Sequence, residues 1–133
     1  MATNSLRKRP LSLRIALFTL SCVISGCEAA GPSPPDAILA SAAARRAGAR
    51  LFAAHCAICH GPHGEGNGQR QSFMVPMPAN LTLPPWSQRA HASRTFLAIR
   101  NGVRGTAMAP WPTLSERQIW ELVAYIEGLG QGR

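Results

Sequence analysis

The stretch HCAICHG, residues 55–61, contains two cysteines separated by two residues, and a histidine directly follows the second cysteine. Three kinds of site use such a spacing: a zinc site, a dithiol redox centre, and a site to which a haem is covalently attached. The seven residues alone do not distinguish these kinds of site. The rest of the chain does, because each kind requires different partners and a different compartment.

The first residues of the chain have the pattern of an export signal. Residues 1–14 carry four basic side chains and no acid, and the apolar run IALFTLSCVI follows at residues 15–24. A basic segment before about ten apolar residues is typical of a secretory signal and is too short for a permanent membrane helix. We therefore expect residues 1–26 to be a signal peptide and the folded domain to be periplasmic or otherwise extracytoplasmic.

The apolar run ends in ISGC, residues 24–27, which resembles a bacterial lipobox. That resemblance implies that Cys27 carries a lipid, becomes the mature N-terminus and anchors the protein to a membrane. An ordinary signal cleaved shortly after this point and an uncleaved anchor are the alternatives. Several prolines follow in residues 27–41 and favour extended backbone, so we expect a spacer there and a domain over residues 42–133.

Cysteine content and charge narrow the possible functions. With Cys22 in the signal and Cys27 lipidated, only Cys56 and Cys59 remain for the folded domain. From residue 28 onward the chain has ten arginines, no lysine and six acids, which leaves a formal charge of +4. No basic run is interleaved with aromatic residues, so we expect no nucleic-acid partner.

Periodic apolar residues predict a helix that ends at the cysteine motif. Ala44, Gly48, Leu51 and Phe52 recur at intervals of three and four residues. A second helical pattern covers residues 93–102 and ends at a glycine. Between them, residues 61–85 are rich in proline and glycine and should form irregular loop; a loop of that length in a compact domain usually wraps around something.

The clearest helical pattern is LSERQIWELVAYIEGLG, residues 114–130. Ser115 as N-cap and Gln118 three residues later form a capping box. One face of this helix carries a buried stripe consisting of Ile119, Leu122, Val123, Ile126 and Leu129. The predicted fold class is therefore all-α, with long loops.

The zinc and dithiol interpretations lack the partners that they need. Zinc requires four ligands, and Cys56, Cys59, His60 and His63 offer them without the usual second ligand pair at a suitable distance. A thioredoxin-like dithiol needs a βαβ context, and no strand pattern lies upstream. In contrast, C-x-x-C-H is the attachment signature for haem c, in which both thiols add to vinyl groups and the histidine ligates iron. Export also fits, because a covalently attached haem is not lost outside the cytoplasm.

The order of motifs resembles class I bacterial monohaem c-type cytochromes. The similarity covers residues 45–129 and rests on CxxCHG, a Gly-rich loop, PANL, FLAIRNGVRGTAMAPW and LSERQIWELVAYIEGL. It implies a cytochrome c fold, with three or more helices around one covalently bound haem c and with N- and C-terminal helices packed crosswise. In that packing Gly48 and Phe52 would contact Leu122 and Tyr125.

The resemblance also implies the haem-binding residues. Cys56 and Cys59 would be the covalent attachment points, and His60 would be one axial ligand. The methionine in GTAMAPW, Met108, would be the other axial ligand, with Met77 as the first alternative. Met74 is a more distant alternative.

Several loop residues could surround the haem. By the same resemblance, a loop proline carbonyl, from Pro76 or Pro78, would accept a hydrogen bond from the His60 ring. Asn80, Trp86 and Trp111 could contact a haem propionate or pack on the ring, and Trp111 is the favoured one of the three; its alternative role is that of an ordinary core tryptophan.

Two strong axial ligands leave iron no open position, so the expected function is transfer of single electrons and not catalysis. The expected partners are respiratory or dehydrogenase redox proteins that meet the protein around the exposed haem edge, where Arg70 and Arg104 could attract an acidic surface. Two alternatives remain open. One is a haem subunit of a larger oxidoreductase complex, and the other is a haem sensor or enzyme in which Met108 is labile.

Overall fold

The computed structural model describes residues 32–131 and contains helices and loops, with no β-strand in this range. The prediction of an all-α fold is therefore confirmed. Within residues 32–131, two single 3₁₀ turns lie in the loops, at Gln71–Phe73 and Arg89–His91. The five α-helices of the same range are α1 (Asp36–Leu39), α2 (Ala42–His55), α3 (Ala57–His60), α4 (Ala92–Asn101) and α5 (Glu116–Leu129).

The packing of α2 against α5 is the main contact between helices. Gly48 makes it possible, because a Cβ atom there would overlap the Glu121 carbonyl and lie 2.9 Å from the Tyr125 Cβ. The Phe52 and Tyr125 rings meet with their centroids 5.2 Å apart, and Leu122 is fully buried. The predicted contact between the first and last long helices is confirmed.

The predicted capping box at the start of α5 is also confirmed. The Gln118 backbone N–H donates to the Ser115 hydroxyl at 3.3 Å, and the Ser115 backbone N–H donates to the Gln118 side-chain oxygen at 2.9 Å. These two bonds satisfy N–H groups that a helix start leaves without partners. They fix where α5 begins and therefore where its buried face points.

Helix α4 completes the core and directs the chain into the next loop. Phe96 and Ile99 are buried, and the Phe96 and Trp120 rings lie 4.4 Å apart between centroids. The helix ends at Gly102, whose φ of +69° favours glycine. A Cβ atom on Gly102 would lie 2.6 Å from the Met108 carbonyl oxygen, so this glycine lets the Met108 loop fold back onto the end of α4.

The N-terminal part of the described chain differs from the predicted spacer. Leu39 is in the hydrophobic core, and the Ser93 hydroxyl donates a hydrogen bond to the Pro32 carbonyl at 2.9 Å. The packed unit thus includes contacts from residues that precede the expected domain start at residue 42. The expected signal peptide (1–26), its lipobox (24–27) and Cys27 lie outside the described residues.

Glu127 is a buried acid in α5 whose ionisation should weaken the fold. Its Oε2 atom lies 3.7 Å from Arg89, and its Oε1 atom has no hydrogen-bond partner among the described residues. Burial raises the pKa of Glu127, an effect that Arg89 and Arg45 only partly oppose. The pKa of Glu127 is therefore higher in the folded protein than in the unfolded chain. Its contribution to the free energy of unfolding is fully present below the unfolded-state pKa and is lost as the pH rises through the folded-state pKa.

We therefore expect Glu127→Gln to raise the free energy of unfolding at neutral pH by about 1 kcal/mol, since it removes a buried charge with an unpaired oxygen. The gain should shrink as the pH falls below the folded-state pKa. Urea unfolding from pH 4 to 8 measures both effects. Glu116→Gln makes the same charge change at an exposed position of α5 and should show no such pattern. A gain for Glu127→Gln that does not depend on pH would contradict this prediction.

Candidate haem site

One helical turn holds the two cysteines and the histidine of the motif together. Helix α2 ends at His55, and α3 follows directly after Cys56. The Cys56 carbonyl accepts hydrogen bonds from the backbone N–H groups of Cys59 at 3.1 Å and His60 at 2.9 Å. Cys56 and Cys59 are half-buried free thiols. Their spacing of three residues places them on the same side of the turn.

The protonation of Cys56 does not favour a redox dithiol. Burial, and to a lesser extent the neighbouring Cys59, raises the pKa of Cys56 to about 12. Dithiol oxidoreductases instead need a thiolate with a lowered pKa. A zinc site would need a cluster of ligands, and residues 32–131 contain no group of three or more His, Cys, Asp or Glu side chains placed to share a metal ion.

The His60 ring is held by a backbone carbonyl, although not by the one expected. Its Nδ1 atom lies 3.0 Å from the carbonyl oxygen of Ala79. Pro76 and Pro78 were the predicted acceptors, and this prediction is wrong. Any residue type offers a backbone carbonyl, so the acceptor is decided by the path of the loop and not by a proline side chain.

Glycines set the path of that loop close to the motif. The Gly66 N–H donates to the His60 carbonyl at 2.7 Å, and the Gly68 N–H donates to the Cys59 carbonyl at 3.1 Å. These bonds satisfy carbonyls that the end of α3 leaves free. A Cβ atom on Gly66 would lie 2.6 Å from the Pro78 carbonyl oxygen, so only glycine lets the segment before Ala79 pass here.

The contact with Ala79 also sets which His60 nitrogen can bind a metal. A carbonyl accepts only, so Nδ1 must carry the proton, and Nε2 keeps its lone pair. Burial lowers the pKa of His60, an effect that the bond to the Ala79 carbonyl only partly opposes. The ring is therefore neutral at physiological pH, which is the form that ligates iron.

Met108 lies on the loop between α4 and α5 and is fixed by its own backbone. Its N–H donates to the Thr106 hydroxyl at 3.1 Å, and its carbonyl accepts from the Val103 N–H at 2.9 Å. The side chain is half-buried and packs against the hydrophobic core. By contrast, Met77 is mostly exposed, and its sulfur accepts a hydrogen bond from the Gln71 amide at 3.8 Å.

A cavity of about 560 Å³ lies beside this loop, where Gly102 and Val103 form part of its wall. The four predicted haem-binding residues do not line it. The rest of the cavity wall is formed by apolar side chains, one asparagine and two arginines. These residues are Trp86, Leu97, Ala98, Asn101, Arg94 and Arg104. The wall of this cavity therefore combines apolar side chains with cationic ones.

The three residues predicted to surround the haem have different surroundings. Trp86 lines the cavity, and the Arg94 guanidinium lies over its ring at 5.6 Å from the centroid. Trp111 pairs with the His55 ring, 5.2 Å between centroids. Asn80 is occupied locally, since its side-chain oxygen accepts hydrogen bonds from the Thr82 N–H and hydroxyl. Of the three, Trp86 is the one that lines the cavity, and no signal in the sequence indicates Arg94 as a further lining residue.

The helical fold and the motif on its single turn define a c-type cytochrome domain. Residues 43–126 match the family model described as "Cytochrome C oxidase, cbb3-type, subunit III", and the chain belongs to this family. The predicted cytochrome c fold and the predicted family resemblance are therefore confirmed.

Two curated relatives and one solved structure are similar to the chain. The subunit FixP of a cbb3-type cytochrome c oxidase from Azorhizobium caulinodans is 38% identical over 68% of this chain and 29% of its own length. The subunit CcoP from Rhodobacter capsulatus is 35% identical over 65% of this chain and 30% of its own length. The chain thus spans less than a third of these relatives. A chain of the reducing HAO-like protein complex Kustc0457/Kustc0458 from Kuenenia stuttgartiensis is 28% identical with a TM-score of 0.54, over 62% of this chain and 41% of that chain.

Proposed function

We propose that this protein is an extracytoplasmic electron-transfer protein that carries one haem c and is not itself an enzyme. Cys56 and Cys59 would hold the haem covalently, and His60 and Met108 would be its axial ligands. The observation that carries the proposal is the orientation of His60, whose Nδ1 atom contacts the Ala79 carbonyl so that Nε2 keeps its lone pair, on the same helical turn as two thiols that form no disulfide among the described residues.

A bound haem supplies a one-electron iron couple, and the residues of this chain set its properties. The contact with the Ala79 carbonyl orients the His60 ring, and burial lowers its pKa and so keeps the ring neutral. The Met108 thioether would favour the reduced state of iron and so would raise the reduction potential relative to a second nitrogen ligand. With His60 and Met108 both bound to iron, oxygen or peroxide would have no site at which to bind.

The proposal is tested by visible spectra of the purified full-length protein in the reduced and oxidised states. We expect a low-spin c-type spectrum, and we expect the haem to remain with the polypeptide after extraction with acidified acetone, because thioether bonds survive it. The variant Cys56→Ser/Cys59→Ser should lose its haem to the same solvent. Haem that is extracted from the unsubstituted protein, or no haem at all, would overturn the proposal.

A second candidate function is that of a fixed haem subunit in a larger oxidoreductase complex. It is favoured by the relatives, both of which are named as subunits of cbb3-type oxidases. Extraction of native membranes with a mild detergent distinguishes the two functions, since a fixed subunit co-purifies with a stable partner and a carrier does not.

Attachment to a membrane is proposed to occur through a lipid on Cys27. None of the helices within residues 32–131 is long and apolar enough to span a bilayer. We expect Cys27→Ala to move the protein from the membrane fraction to the soluble extracytoplasmic fraction, with an unchanged haem spectrum. Ser33→Ala is the matched control, a small exposed residue close to the same end of the chain. Membrane retention of Cys27→Ala would count against the lipid.

A further inference from the structure

Three exposed apolar side chains are concentrated on one loop beside the cysteine motif. Phe73, Val75 and Met77 are 86%, 92% and 67% exposed, the highest values among the large apolar residues that the structure describes. We call these three residues the 73–77 patch. Single exposed apolar residues are ordinary on protein surfaces, whereas a cluster of them marks an interaction site.

Backbone hydrogen bonds attach this loop to the predicted haem-attachment motif. The Arg70 N–H donates to the carbonyl of Ile58, which lies between the two cysteines, at 3.0 Å. The Ile58 side chain is itself exposed. The contact between the Gln71 amide and the Met77 sulfur joins the two ends of the loop. The 73–77 patch therefore lies next to the part of the molecule where we propose that the haem is attached.

The stretch of sequence that contains the 73–77 patch carries a net positive charge. No aspartate or glutamate occurs from residue 66 to residue 115, a stretch that contains five arginines. Three of these have partners: Arg89 and Arg100 form ion pairs, and Arg94 lies over Trp86. Arg70, at the base of the loop, has no ion pair among residues 32–131 and is exposed, so its charge is available to a partner.

We propose that the 73–77 patch, with Arg70 at its edge, is the docking surface for a redox protein whose own apolar contact area is bordered by acidic side chains. This inference rests on the proposed electron-transfer function. Contacts between redox partners are small and short-lived, so three apolar side chains and a few charges are enough. A protein fits better than a bilayer, because the patch adjoins the proposed haem and a lipid surface offers no group to exchange an electron.

The test uses oxidised plastocyanin, an acidic blue-copper protein, as the partner of the reduced full-length haem protein in non-ionic detergent. One electron passes from Fe(II) to Cu(II), giving Fe(III) and Cu(I), and no bond or proton changes. We expect Phe73→Ser/Val75→Ser to lower the second-order rate constant about tenfold in stopped-flow measurements, as the loss of interface anchors should. Leu83→Ser removes an exposed apolar residue outside the patch and should stay within about twofold.

The role of Arg70 is tested through ionic strength. The reaction of the unsubstituted protein with plastocyanin should slow as salt is added, and Arg70→Gln should be slower at low salt and less sensitive to salt. Reaction with ferricyanide, a small ion that needs no apolar contact area, should be nearly the same for Phe73→Ser/Val75→Ser and the unsubstituted protein.

Several results would overturn this assignment of the patch. One is an unchanged rate with plastocyanin for Phe73→Ser/Val75→Ser, and another is a rate for the unsubstituted protein that does not fall with salt. A third is binding to phosphatidylglycerol vesicles that the double variant loses while its plastocyanin rate is unchanged, which would assign the patch to the membrane. Failure of the proposed function is seen separately, as the absence of a haem spectrum or of any reaction with ferricyanide.

Discussion

Replacing Met108 by alanine should abolish the weak far-red sulfur-to-iron charge-transfer band of the oxidised protein while leaving the haem covalently attached. The proposed thioether bonds to Cys56 and Cys59 would not depend on Met108. Loss of the sulfur ligand should lower the midpoint potential by on the order of 0.1–0.3 V, a fraction of the range of about 0.8 V that axial ligands span. It should also open an axial position, so carbon monoxide should bind the reduced variant rapidly.

Met77→Ala and Met74→Ala are the matched controls, since these methionines are the alternative ligands. Met77 is mostly exposed, whereas Met108 packs against the core. Both control variants should therefore keep the band and the potential. If the band survives in Met108→Ala and disappears in Met77→Ala, Met77 is the ligand. If the unsubstituted protein lacks the band and binds carbon monoxide, the haem sensor or enzyme alternative is favoured over the carrier.

Replacing Gly48 by alanine should destabilise the protein strongly, even though alanine is the better helix former by about 1 kcal/mol. The added Cβ would overlap the backbone carbonyl of Glu121, and backbone cannot turn away as the end of a long side chain can. Helices α2 and α5 would have to separate. Such overpacking costs about 3 kcal/mol, a large share of the 5–15 kcal/mol that holds a typical domain together.

Gly128→Ala is the matched control for Gly48→Ala. Gly128 lies in α5 and faces α2, and there is room for a Cβ atom at this position. The nearest atom to its added Cβ would be the Arg45 Cδ at 3.7 Å, an ordinary contact. This variant should be more stable by about 0.5–1 kcal/mol. Urea unfolding of the haem-loaded proteins measures both changes. Equal stability of Gly48→Ala and the unsubstituted protein would show that α2 and α5 do not meet closely at Gly48.

Local signals in the sequence predicted the helices well because each signal lies within the element that it determines. Ser115 and Gln118 are three residues apart and complete their capping box without help from the rest of the fold. Gly48 and Phe52 lie on the face that their spacing indicates, and this face meets α5. The Cys and His residues of the motif come together for the same reason, since four consecutive helical residues form one turn.

Features that depend on distant backbone were not predictable in this way. The carbonyl of Ala79 reaches His60, 19 residues earlier in the sequence, because loop glycines let the chain fold back. The side chain at residue 79 takes no part in this contact, so the residue type does not indicate it. Leu39 is buried because α1 packs against α5 and α2, whereas its proline-rich neighbourhood in the sequence indicates a spacer. The sequence favoured Trp111 over Trp86 as a neighbour of the haem, whereas the folded loops place Trp86 in the cavity wall and Trp111 against His55.

The hydrogen bond between Ser93 and Pro32 would limit how far the domain could move from the proposed lipid on Cys27. Between Cys27 and Pro32 there are five residue steps, which span at most about 18 Å when fully extended. A domain of about 100 residues has a radius of gyration of about 13 Å, so its diameter exceeds that reach. With a lipid on Cys27, this short tether would keep the domain against the lipid headgroups. The protein would then meet its partners by lateral diffusion in the plane of the membrane, and rotation of the domain about the tether would decide which of its faces meets a partner.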